Sequence, residues 1–594
     1  MGHRPLCGIL AYIGREPAAP LLVRLLKKLE YRGYDSAGIA TVIDSAIHMA
    51  KDVGRVDEIA SHLDLTSLRG FGGIAHTRWA THGGVTPENA HPHLSCDGRI
   101  AIVHNGIIDN YKKLREELEN RNHSFRSGTD SEILAHLLED NYDRAGNEIT
   151  AVSKTVQKLS GSYAFVALFR QNPDVIAAAR KDSPLMIGLG DGENFFASDV
   201  GAFIDRTDRA VFVDNREIAL INTQGFKVTD FNGVSLRKLP TDVAREVSDV
   251  SREDFAHFTE KEIHEQSQTI NRALIQTPEK ILAVSKELAQ AERIYLIASG
   301  TSYHAALLGK IYLAKFARRV VEVSLSSEFR DLEEFLDDHS VIVAISQSGE
   351  TADILEAVGI ARQRGARVVA LINAEESSLS RTCDLSLSIN CGPEIGVAAT
   401  KSFTSQITLL NFLASQMAQK RRNQVELETL SKKVDNILAQ DKVVRRVAHK
   451  FNAVSDLYFI GRGVHYPIAL EGALKMKELS YIHAEGLSAG ELKHGTLALV
   501  TENTPVVALN PEDATYEETL NSVSELKARG ARVIGVSNRV STLYDDFIQI
   551  PSVPNDLFPI IEVIPLQLLA YYAALERQAD PDYPRNLAKS VTVK

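Results

Sequence analysis

A cysteine near the start of the chain and three later polar blocks carry residue types that suit chemistry on a carboxamide. Cys7 is followed by a Gly-Ile pair, and the blocks are Arg32–Ser36, His76–Gly83 and His104–Ile107. A thiol is mostly protonated at neutral pH and needs a base nearby, and a terminal α-amine can be that base. These residues predict a thiol nucleophile that attacks the amide of glutamine.

The same blocks contain groups that suit the charges of this reaction. Attack on a carboxamide builds negative charge on oxygen, which the side-chain amide of Asn105 and the backbone N–H of Gly106 can receive if the chain turns sharply there. Glycine lets the backbone approach closely. A free amino acid also presents a carboxylate and an ammonium group, and Arg78 and Asp130 are the candidate partners for them.

In this order, the blocks resemble the class II glutamine amidotransferase domain, whose nucleophile is an N-terminal cysteine. Later blocks resemble the family of isomerizing glutamine:fructose-6-phosphate aminotransferases, and they are Ser346–Thr351, Ala469–Lys475, Glu491–Gly495 and Pro584–Val593. The resemblance covers nearly the whole chain. It implies an enzyme that hydrolyses glutamine through a thioester, passes ammonia internally and converts fructose 6-phosphate into glucosamine 6-phosphate, the first step of hexosamine synthesis.

The second half of the chain repeats itself. Arg293–Gly300 resembles Asp456–Gly463, and Gly365–Val369 matches Gly530–Ile534. The spacings are 163 residues (463 − 300) and 165 residues (530 − 365), so two separate matches share nearly one period. Each copy begins with an apolar β-like run that ends in glycine, which is typical of a doubly wound parallel sheet.

The first ~240 residues have short β-like runs between helical segments, such as Arg99–Val103 and Ser162–Phe169, which favour stacked sheets and helices. The resemblance implies an α/β multidomain fold, with an N-terminal four-layer αββα glutaminase of the Ntn-hydrolase type followed by two doubly wound parallel-sheet sugar isomerase domains. The predicted domains are a type 2 glutamine amidotransferase domain at 7–240, a polar linker at 241–254, sugar isomerase domains at 255–430 and 431–580, and a catalytic C-terminal tail at 581–594.

The resemblance also implies roles for single residues. In the isomerase half, Glu478 transfers a proton between sugar carbons, Lys475 assists, His494 opens the sugar ring and Lys589 forms a Schiff base with the open ketose. The implied catalytic residues of the glutaminase are Cys7, Asn105 and Gly106, and the implied glutamine-binding residues are Arg78, Trp79, Thr81, His82, Gly106 and Asp130. The implied sugar-phosphate ligands are Thr301, Ser302, Ser346, Gln347, Ser348, Thr351, Val397 and Ala588.

Plainer interpretations exist for several of these features. Glu471, Lys475 and Glu478 share one helix face and also suit a surface ion-pair ladder. The serines of 346–351 follow an apolar run and precede a helix predicted from Ala352, so they also suit ordinary helix capping. The partner segment 299–302 at another strand end favours a shared phosphate site. The single tryptophan, Trp79, suits core packing, whereas the resemblance implies that it gates an ammonia path.

Bulk properties narrow the class of protein. The chain has 594 residues, 44% hydrophobic and 24% charged, and a net charge of −11. This balance argues against a non-specific nucleic-acid or membrane surface. Four cysteines without a C-x-x-C pair favour a reduced, cytoplasmic setting. The most apolar segment, 557–575, contains Pro559, Glu562 and Pro565, so we predict a buried core segment and no membrane span.

No cofactor and no metal are predicted. The histidines His76, His82, His91, His93 and His104 cluster in sequence, but their spacings match no recognised zinc pattern. We expect them to hydrogen-bond in loops and the core. The duplicated domain and the resemblance predict a homodimer that acts on L-glutamine and fructose 6-phosphate.

Six residues precede Cys7, and an amide nitrogen at Cys7 cannot act as a base. We therefore expect a free amine at Cys7, either because translation starts at Leu6, since some leucine codons also initiate in bacteria and archaea, or because a short propeptide is cleaved. Two alternatives to the main function stay open. One is a sugar-phosphate sensor built from the same duplicated unit, and the other is an amidotransferase for a related phosphosugar.

Overall fold

A computed structural model describes residues 7–44, 46–79, 82–243, 252–375, 377–419, 426–427, 429–587 and 589–590. Two compact units divide the chain, Met1–Val250 with Ala588–Lys594 and Ser251–Leu587. Of the predicted linker, Thr241–Asp242 form a strand of the first unit, and residues 244–251 lie outside the described part of the chain.

The first unit is built from two antiparallel sheets and five α-helices within its described residues. Its strands are β1 Gly8–Ile13, β2 Ser36–Ile43, β3 Ala46–Val53, β4 Gly72–Arg78, β5 His93–Leu94, β6 Ile100–Ile108, β7 Gly161–Phe169, β8 Ile176–Lys181, β9 Met186–Leu189, β10 Asn194–Ala197, β11 Arg209–Phe212, β12 Glu217–Asn222, β13 Gly225–Asp230, β14 Ser235–Leu236 and β15 Thr241–Asp242. Its helices are Ala18–Leu26, Val56–Leu63, Tyr111–Glu119, Glu132–Ala145 and Glu148–Val156.

The two sheets stack face to face, with helices on both outer sides. One sheet has the order β15-β11-β9-β10-β1-β4-β2-β3 and the other β14-β13-β12-β8-β7-β6-β5. Alternation along β1 explains the layering, because successive strand residues point to opposite faces. Ile9 and Ala11 enter the core between the sheets, whereas Leu10 and Tyr12 pack with the helix Ala18–Leu26. The predicted four-layer αββα arrangement is confirmed.

Strand β6 differs from its prediction in a way that affects the site. The apolar run predicts a strand over Arg99–Val103, but β6 continues to Ile108 and pairs with β7 throughout. The sharp turn that was the condition for the Gly106 N–H to act as a donor therefore does not occur there. Instead, Gly106 lies inside the strand with φ +124° and pairs with Tyr163. A Cβ at this position would lie 2.1 Å from the Ser162 carbonyl oxygen, so only glycine fits here.

The second unit contains two parallel five-stranded sheets of matching order. Its strands are β16 Arg293–Ala298, β17 Val321–Leu325, β18 Ser340–Ser346, β19 Arg367–Ile372, β20 Leu385–Ser388, β21 Asp456–Gly461, β22 His483–Ser488, β23 Pro505–Leu509, β24 Arg532–Ser537 and β25 Asp546–Gln549. The sheet orders are β17-β16-β18-β19-β20 and β22-β21-β23-β24-β25. The repeated runs of the sequence form equivalent strands, β16 with β21 and β19 with β24, which confirms the two doubly wound domains.

Helices surround both sheets of the second unit. They are Phe258–His264, Gln266–Ala273, Pro278–Gln290, Thr301–Tyr312, Ala352–Gln363, Ser378–Thr382, Lys401–Met417, Ser431–Leu438, Asp441–Ala448, His465–Ser480, Tyr516–Lys527 and Phe558–Glu576. One helical segment, Asn555–Glu576, is long and apolar enough to cross a membrane, but its apolar stretch is completely buried. It is the central core helix of this unit, in agreement with the sequence prediction.

Candidate functional site

The Cys7 thiol lies at the start of β1, against the residue that follows β4. Its Sγ accepts a hydrogen bond from the Trp79 N–H at 3.2 Å and donates one to the Trp79 carbonyl at 3.6 Å. Burial raises the pKa of Cys7 to about 11, although the Trp79 bond and the Arg78 charge oppose the shift. The thiol is therefore protonated at neutral pH. Within the described residues, no side-chain base is hydrogen-bonded to this sulfur.

Asn105 extends from β6 toward the same cysteine. Its amide nitrogen donates to the Cys7 carbonyl at 2.7 Å, and its amide oxygen lies 2.9 Å from Nε2 of His76. Burial lowers the pKa of His76 to about 3, so the ring is neutral. Because an amide oxygen only accepts, Nε2 of His76 donates to it. His76 thereby holds Asn105 with its amide donors on the cysteine side.

The predicted charged partners of glutamine are both buried. The Arg78 guanidinium donates to the carbonyls of His82 at 2.6 Å and Gly84 at 3.3 Å, so it shapes the loop after β4. Asp130 accepts a hydrogen bond from the Ile108 N–H at 2.8 Å. Both charges act on the Cys7 thiol, Arg78 lowering its pKa and Asp130 raising it. The two residues thus belong to the surroundings of the nucleophile.

Aromatic contacts position two further predicted residues. The Trp79 ring packs edge-on against Tyr34, with ring centroids 5.1 Å apart, and the His82 ring packs against Tyr111 at 5.5 Å. Thr81 lies outside the described residues.

A second group of polar side chains lies inside the isomerase unit, around Lys475. Its Nζ donates to Thr301 Oγ1 at 3.0 Å, lies 3.5 Å from Glu471 Oε1 and forms an ion pair with Glu478. Glu471 also accepts from Thr301 at 3.1 Å, and it is bonded to His304 Nδ1 at 2.7 Å. Lys475 and Glu471 are completely buried. A surface ion-pair ladder is therefore the wrong interpretation of this spacing.

The cluster joins the two repeats. Thr301 and His304 come from the helix after β16, whereas Glu471, Lys475 and Glu478 come from the helix after β21. Each helix follows the carboxyl end of its strand, where doubly wound sheets bind ligands. Sequence reasoning missed His304. The available signal was its position one turn after Thr301 on the same helix face.

Opposite charges keep the buried groups of this cluster ionised. Burial acts to lower the pKa of Lys475, but Glu478 and Glu471 outweigh it and raise that pKa. Burial acts to raise the pKa of Glu471, but Lys475 and His304 outweigh it and lower that pKa. A buried, ionised lysine bonded to a carboxylate can hold that carboxylate in one place for proton transfer.

The predicted phosphate-binding turn follows β18. Ser346 Oγ accepts from the Gly349 N–H at 3.0 Å, and Ser348 Oγ accepts from the Glu350 N–H at 3.2 Å. Gly349 has φ +64°, and a Cβ there would lie 2.1 Å from Ser377 Oγ. The turn leads into the helix Ala352–Gln363, which has Thr351 at its N-cap with no side-chain capping bond.

Strand order brings the turn near the first repeat's other polar segment. β18 pairs in parallel with β16, so Ser346–Thr351 and Thr301–Ser302 lie at the same edge of the sheet. The Ser302 hydroxyl accepts from Gln406 at 2.9 Å. Gln347 holds the turn through its carbonyl oxygen, which accepts from the N–H groups of Asn373 and Ala374.

The other predicted residues of the isomerase half lie in separate segments of the chain. His494 ends a 3-10 turn, Ala489–His494, and is exposed. Within the described part of the chain, no hydrogen bond or ion pair links it to Lys475 or Glu478. Val397 is buried, and its N–H donates to the Asp582 carbonyl at 3.1 Å. Lys589 lies in the short described segment 589–590, and Ala588 lies outside it.

Comparison with family models finds two kinds of domain. A glutamine amidotransferase domain matches residues 76–205, and the SIS domain matches twice, at residues 287–416 and 450–577. The double match coincides with the two parallel sheets.

Proteins similar to the whole chain are glutamine--fructose-6-phosphate aminotransferases [isomerizing]. The one from Pyrococcus horikoshii is 44% identical over 598 residues, and the one from Thermococcus kodakarensis is 43% identical over 602 residues. Each match covers 99% of this chain and 100% of the relative.

Among solved structures, the C-terminal domain of glucosamine-fructose-6-phosphate aminotransferase from Francisella tularensis is 32% identical, with a TM-score of 0.52. The match covers 56% of this chain and 100% of that domain. A phosphosugar isomerase fold from Silicibacter pomeroyi matches at 26% identity with a TM-score of 0.50, covering 55% of this chain and 100% of that chain.

Proposed function

Since the chain belongs to the family of isomerizing glutamine–fructose-6-phosphate aminotransferases, we propose how its own residues carry out that family's reaction. The chain is an enzyme that uses glutamine to make glucosamine 6-phosphate from fructose 6-phosphate and releases glutamate. The reaction has two parts, glutamine hydrolysis and sugar amination with isomerisation, which we assign to the two units. The ammonia released by the first part passes internally to the second.

In the glutaminase unit, Cys7 is the nucleophile. Its sulfur attacks the carboxamide carbon of glutamine, the C–N bond breaks, and the thiol proton leaves with ammonia. Water then hydrolyses the thioester to glutamate and regenerates the thiol. The raised thiol pKa, and the fact that Sγ has only backbone partners among the described residues, support a free α-amine on Cys7 as the base.

The proposed oxyanion donors are the Asn105 side-chain amide and the Gly106 N–H, the latter from within β6, where its φ of +124° departs from that of a regular strand. Negative charge develops on the amide oxygen during both attack steps, and fixed N–H donors stabilise it. The Asn105 amide already faces the cysteine, as its 2.7 Å bond to the Cys7 carbonyl supports. Arg78, Trp79, Thr81, His82 and Asp130 are the proposed surroundings of the glutamine substrate.

In the isomerase unit, Glu478 moves a proton between the two sugar carbons, while Lys475 holds it by an ion pair. His494 opens the ring, and Lys589 forms a Schiff base with the open ketose, which releases the ketone oxygen as water. Ammonia then displaces the Lys589 amine from this imine and supplies the nitrogen of the amino sugar. The observation that supports this assignment best is the buried Lys475 cluster. Lys475 is fully buried and contacts three polar side chains from both repeats, which an ordinary solvated surface lysine does not.

The phosphate of the sugar is proposed to bind at the edge shared by β16 and β18. Hydroxyls and N–H groups of the turn and a helix N-terminus favour an anion there. The proposed ligands are Thr301, Ser302, Ser346, Gln347, Ser348, Thr351, Val397 and Ala588. We also propose a homodimer in the reduced cytoplasm, which the four free cysteines suit.

The test separates the two half-reactions. Glucosamine 6-phosphate is measured with glutamine or with ammonium as the nitrogen donor, and glutamate release is measured separately. We expect Cys7→Ala to abolish glutamine-dependent synthesis and spare ammonium-dependent synthesis. Glu478→Gln should abolish synthesis with both donors and spare glutamate release.

Cys383→Ala serves as the control, because Cys383 is a free cysteine whose thiol donates a hydrogen bond to the Ser380 carbonyl at 3.2 Å. It should leave both half-reactions unchanged. If Cys7→Ala retained glutamine-dependent synthesis, the nucleophile would be misassigned. If Glu478→Gln retained synthesis, the proton-transfer assignment would fail.

A further inference from the structure

Four side chains of the glutaminase unit converge away from Cys7, and the function described above uses none of them. They are Cys96, His123, His136 and Glu139, and their potential ligand atoms all lie within 4.8 Å of one another. Cys96 Sγ lies 3.4 Å from His123 Nδ1 and 3.3 Å from His136 Nδ1. Glu139 Oε2 lies 3.2 Å from His123 Nδ1 and 3.8 Å from His136 Nδ1.

Three separate segments supply these residues. Cys96 lies in the turn between β5 and β6, and His123 lies beyond the helix Tyr111–Glu119. His136 and Glu139 are three residues apart on the helix Glu132–Ala145, so they share one face. Residues this far apart in sequence meet only through the tertiary fold, and their spacing forms no recognised metal motif.

The distances fit a tetrahedral metal. Zinc binds thiolate sulfur at about 2.3 Å and nitrogen or oxygen at about 2.0–2.2 Å. Tetrahedral angles then separate the ligand atoms by about 3.4–3.6 Å. The four separations above, from 3.2 to 3.8 Å, bracket that range.

The outer contacts of the cluster resemble those of a zinc site. Each histidine offers Nδ1 to the centre and turns Nε2 toward a carboxylate, which is the usual way that metal-bound histidines are oriented. His123 Nε2 is hydrogen-bonded to Asp140 Oδ1 at 3.0 Å, whereas His136 Nε2 faces Glu132 Oε1 at 3.6 Å, beyond hydrogen-bond distance. The Cys96 sulfur accepts a hydrogen bond from the Ser124 N–H at 3.4 Å.

Burial favours a built site over a chance surface cluster. The side chain of His136 is 1% exposed, and those of Glu139 and His123 are 8% and 9% exposed. The Glu139 carboxylate also accepts from the N–H groups of Cys96 and Asp97, at 3.3 and 3.2 Å. Cys96 lies at the surface and leaves the ion a path from solvent.

We propose that Cys96, His123, His136 and Glu139 bind one structural zinc ion. Sulfur and imidazole ligands favour zinc over calcium or magnesium, which prefer oxygen. Four protein ligands complete the tetrahedron, as in structural sites, whereas catalytic sites keep an open position. On binding, the Cys96 thiol releases its proton to solvent, and the thiolate and the Glu139 carboxylate balance the two positive charges of the ion.

Such an ion would tie together the segments that carry the glutamine site. The Cys96 turn leads into β6, which holds Asn105, and the helix with His136 begins two residues after Asp130. Zinc is therefore expected to stabilise the glutaminase unit and not to take part in its chemistry.

The first test is metal analysis of the full chain, purified without chelators or a histidine tag, by inductively coupled plasma mass spectrometry. We expect about one zinc per chain in the native protein, and a loss of at least tenfold in Cys96→Ser and in His136→Gln. Cys383→Ser, a change at another free cysteine, should keep the metal. Zinc below a tenth of an equivalent, both as purified and after incubation with one equivalent of zinc followed by gel filtration, would overturn the proposal.

A second readout does not depend on how well the variants fold. Cobalt bound in place of zinc to the native chain should show the visible bands of a tetrahedral site and a near-ultraviolet thiolate-to-cobalt band. Tetrahedral bands without the thiolate band would show that Cys96 is not a ligand and would overturn the assigned set. If the cluster holds no metal, its four groups form only a hydrogen-bonded network, and chelator treatment would leave the melting temperature of the native chain unchanged.

Discussion

At the level of single residues, Asn105 is the clearest oxyanion donor, because His76 fixes its amide with the nitrogen toward Cys7. We expect Asn105→Ala to lower kcat for glutamine hydrolysis by about 10²–10³-fold, the usual effect of losing one oxyanion donor. Ammonium-dependent synthesis should stay unchanged. Steady-state kinetics with each nitrogen donor checks this, and Asn120→Ala, at an exposed helix end, is the control.

Buried histidines make the stability of the glutaminase unit depend on pH. Burial lowers the pKa of His76 to about 3 and of His104 to about 4, and it lowers the pKa values of His91 and His93 well below the usual range. The unfolded chain takes up these protons near pH 6.5, before the folded chain does. Stability is therefore fully present above about pH 6.5 and is lost as the pH falls below it.

His93→Gln tests this linkage. Glutamine can keep the contact that His93 Nε2 makes with Thr129 Oγ1 at 3.2 Å, but it does not ionise. Between about pH 6 and 5, the free energy of unfolding of this unit should fall less steeply in the variant than in the native chain. The two slopes should differ by about 1.4 kcal/mol per pH unit, the effect of one proton. Urea unfolding at several pH values measures the slope. An unchanged slope would show that His93 is protonated in the folded state.

At the level of elements, the helix His465–Ser480 brings a buried lysine to two carboxylates. Lys475→Met leaves Glu471 buried without its main counter-charge, so we expect the isomerase unit to lose about 3–5 kcal/mol of stability. The double variant with Glu471→Gln should recover part of the loss, because no unpaired charge then stays buried. Chemical unfolding measures both, and Lys477→Met, an exposed lysine of the same helix, should have little effect.

The turn after β18 depends on a glycine in the left-handed region. Gly349→Ala adds a methyl group 2.1 Å from Ser377 Oγ at φ +64°, so the turn must shift. We expect KM for fructose 6-phosphate to rise on the order of tenfold, from about 1–3 kcal/mol of local strain. Gly359→Ala, in the helix Ala352–Gln363 that follows the turn, is the matched control. Apart from the backbone of that helix, no atom lies within 4 Å of its added Cβ. Equal KM values for both variants would argue against a phosphate site here.

At the level of the whole molecule, the two units have separate hydrophobic cores, so each is expected to fold alone. A chain that begins at Arg252 should make glucosamine 6-phosphate from ammonium and fructose 6-phosphate but should not use glutamine. The related Francisella tularensis C-terminal domain, which was solved by itself, supports this expectation. Synthesis rates with both donors and a cooperative melting transition check it. Failure of this fragment to melt cooperatively would contradict independent folding.

The layers and the duplication could be predicted from the sequence, because they depend on short-range patterns. Alternating apolar residues specify strands such as β1, and two matches at nearly one period specify the repeated sheets. The exact course of β6 could not be predicted, because polar His104 and Asn105 end the apolar run while pairing with β7 continues the strand. The Lys475 spacing was also ambiguous, since only burial separates a buried cluster from a surface ladder.

By itself, the sequence determined the fold class, the family and the candidate nucleophile, because these follow from local motifs and their order along the chain. Only the tertiary structure decided which distant side chains meet. It joined Thr301 and His304 to Glu471 across the two repeats, and it gathered Cys96, His123, His136 and Glu139 from three segments. Contacts of this kind depend on how elements pack, and packing places residues together without any regular spacing in sequence.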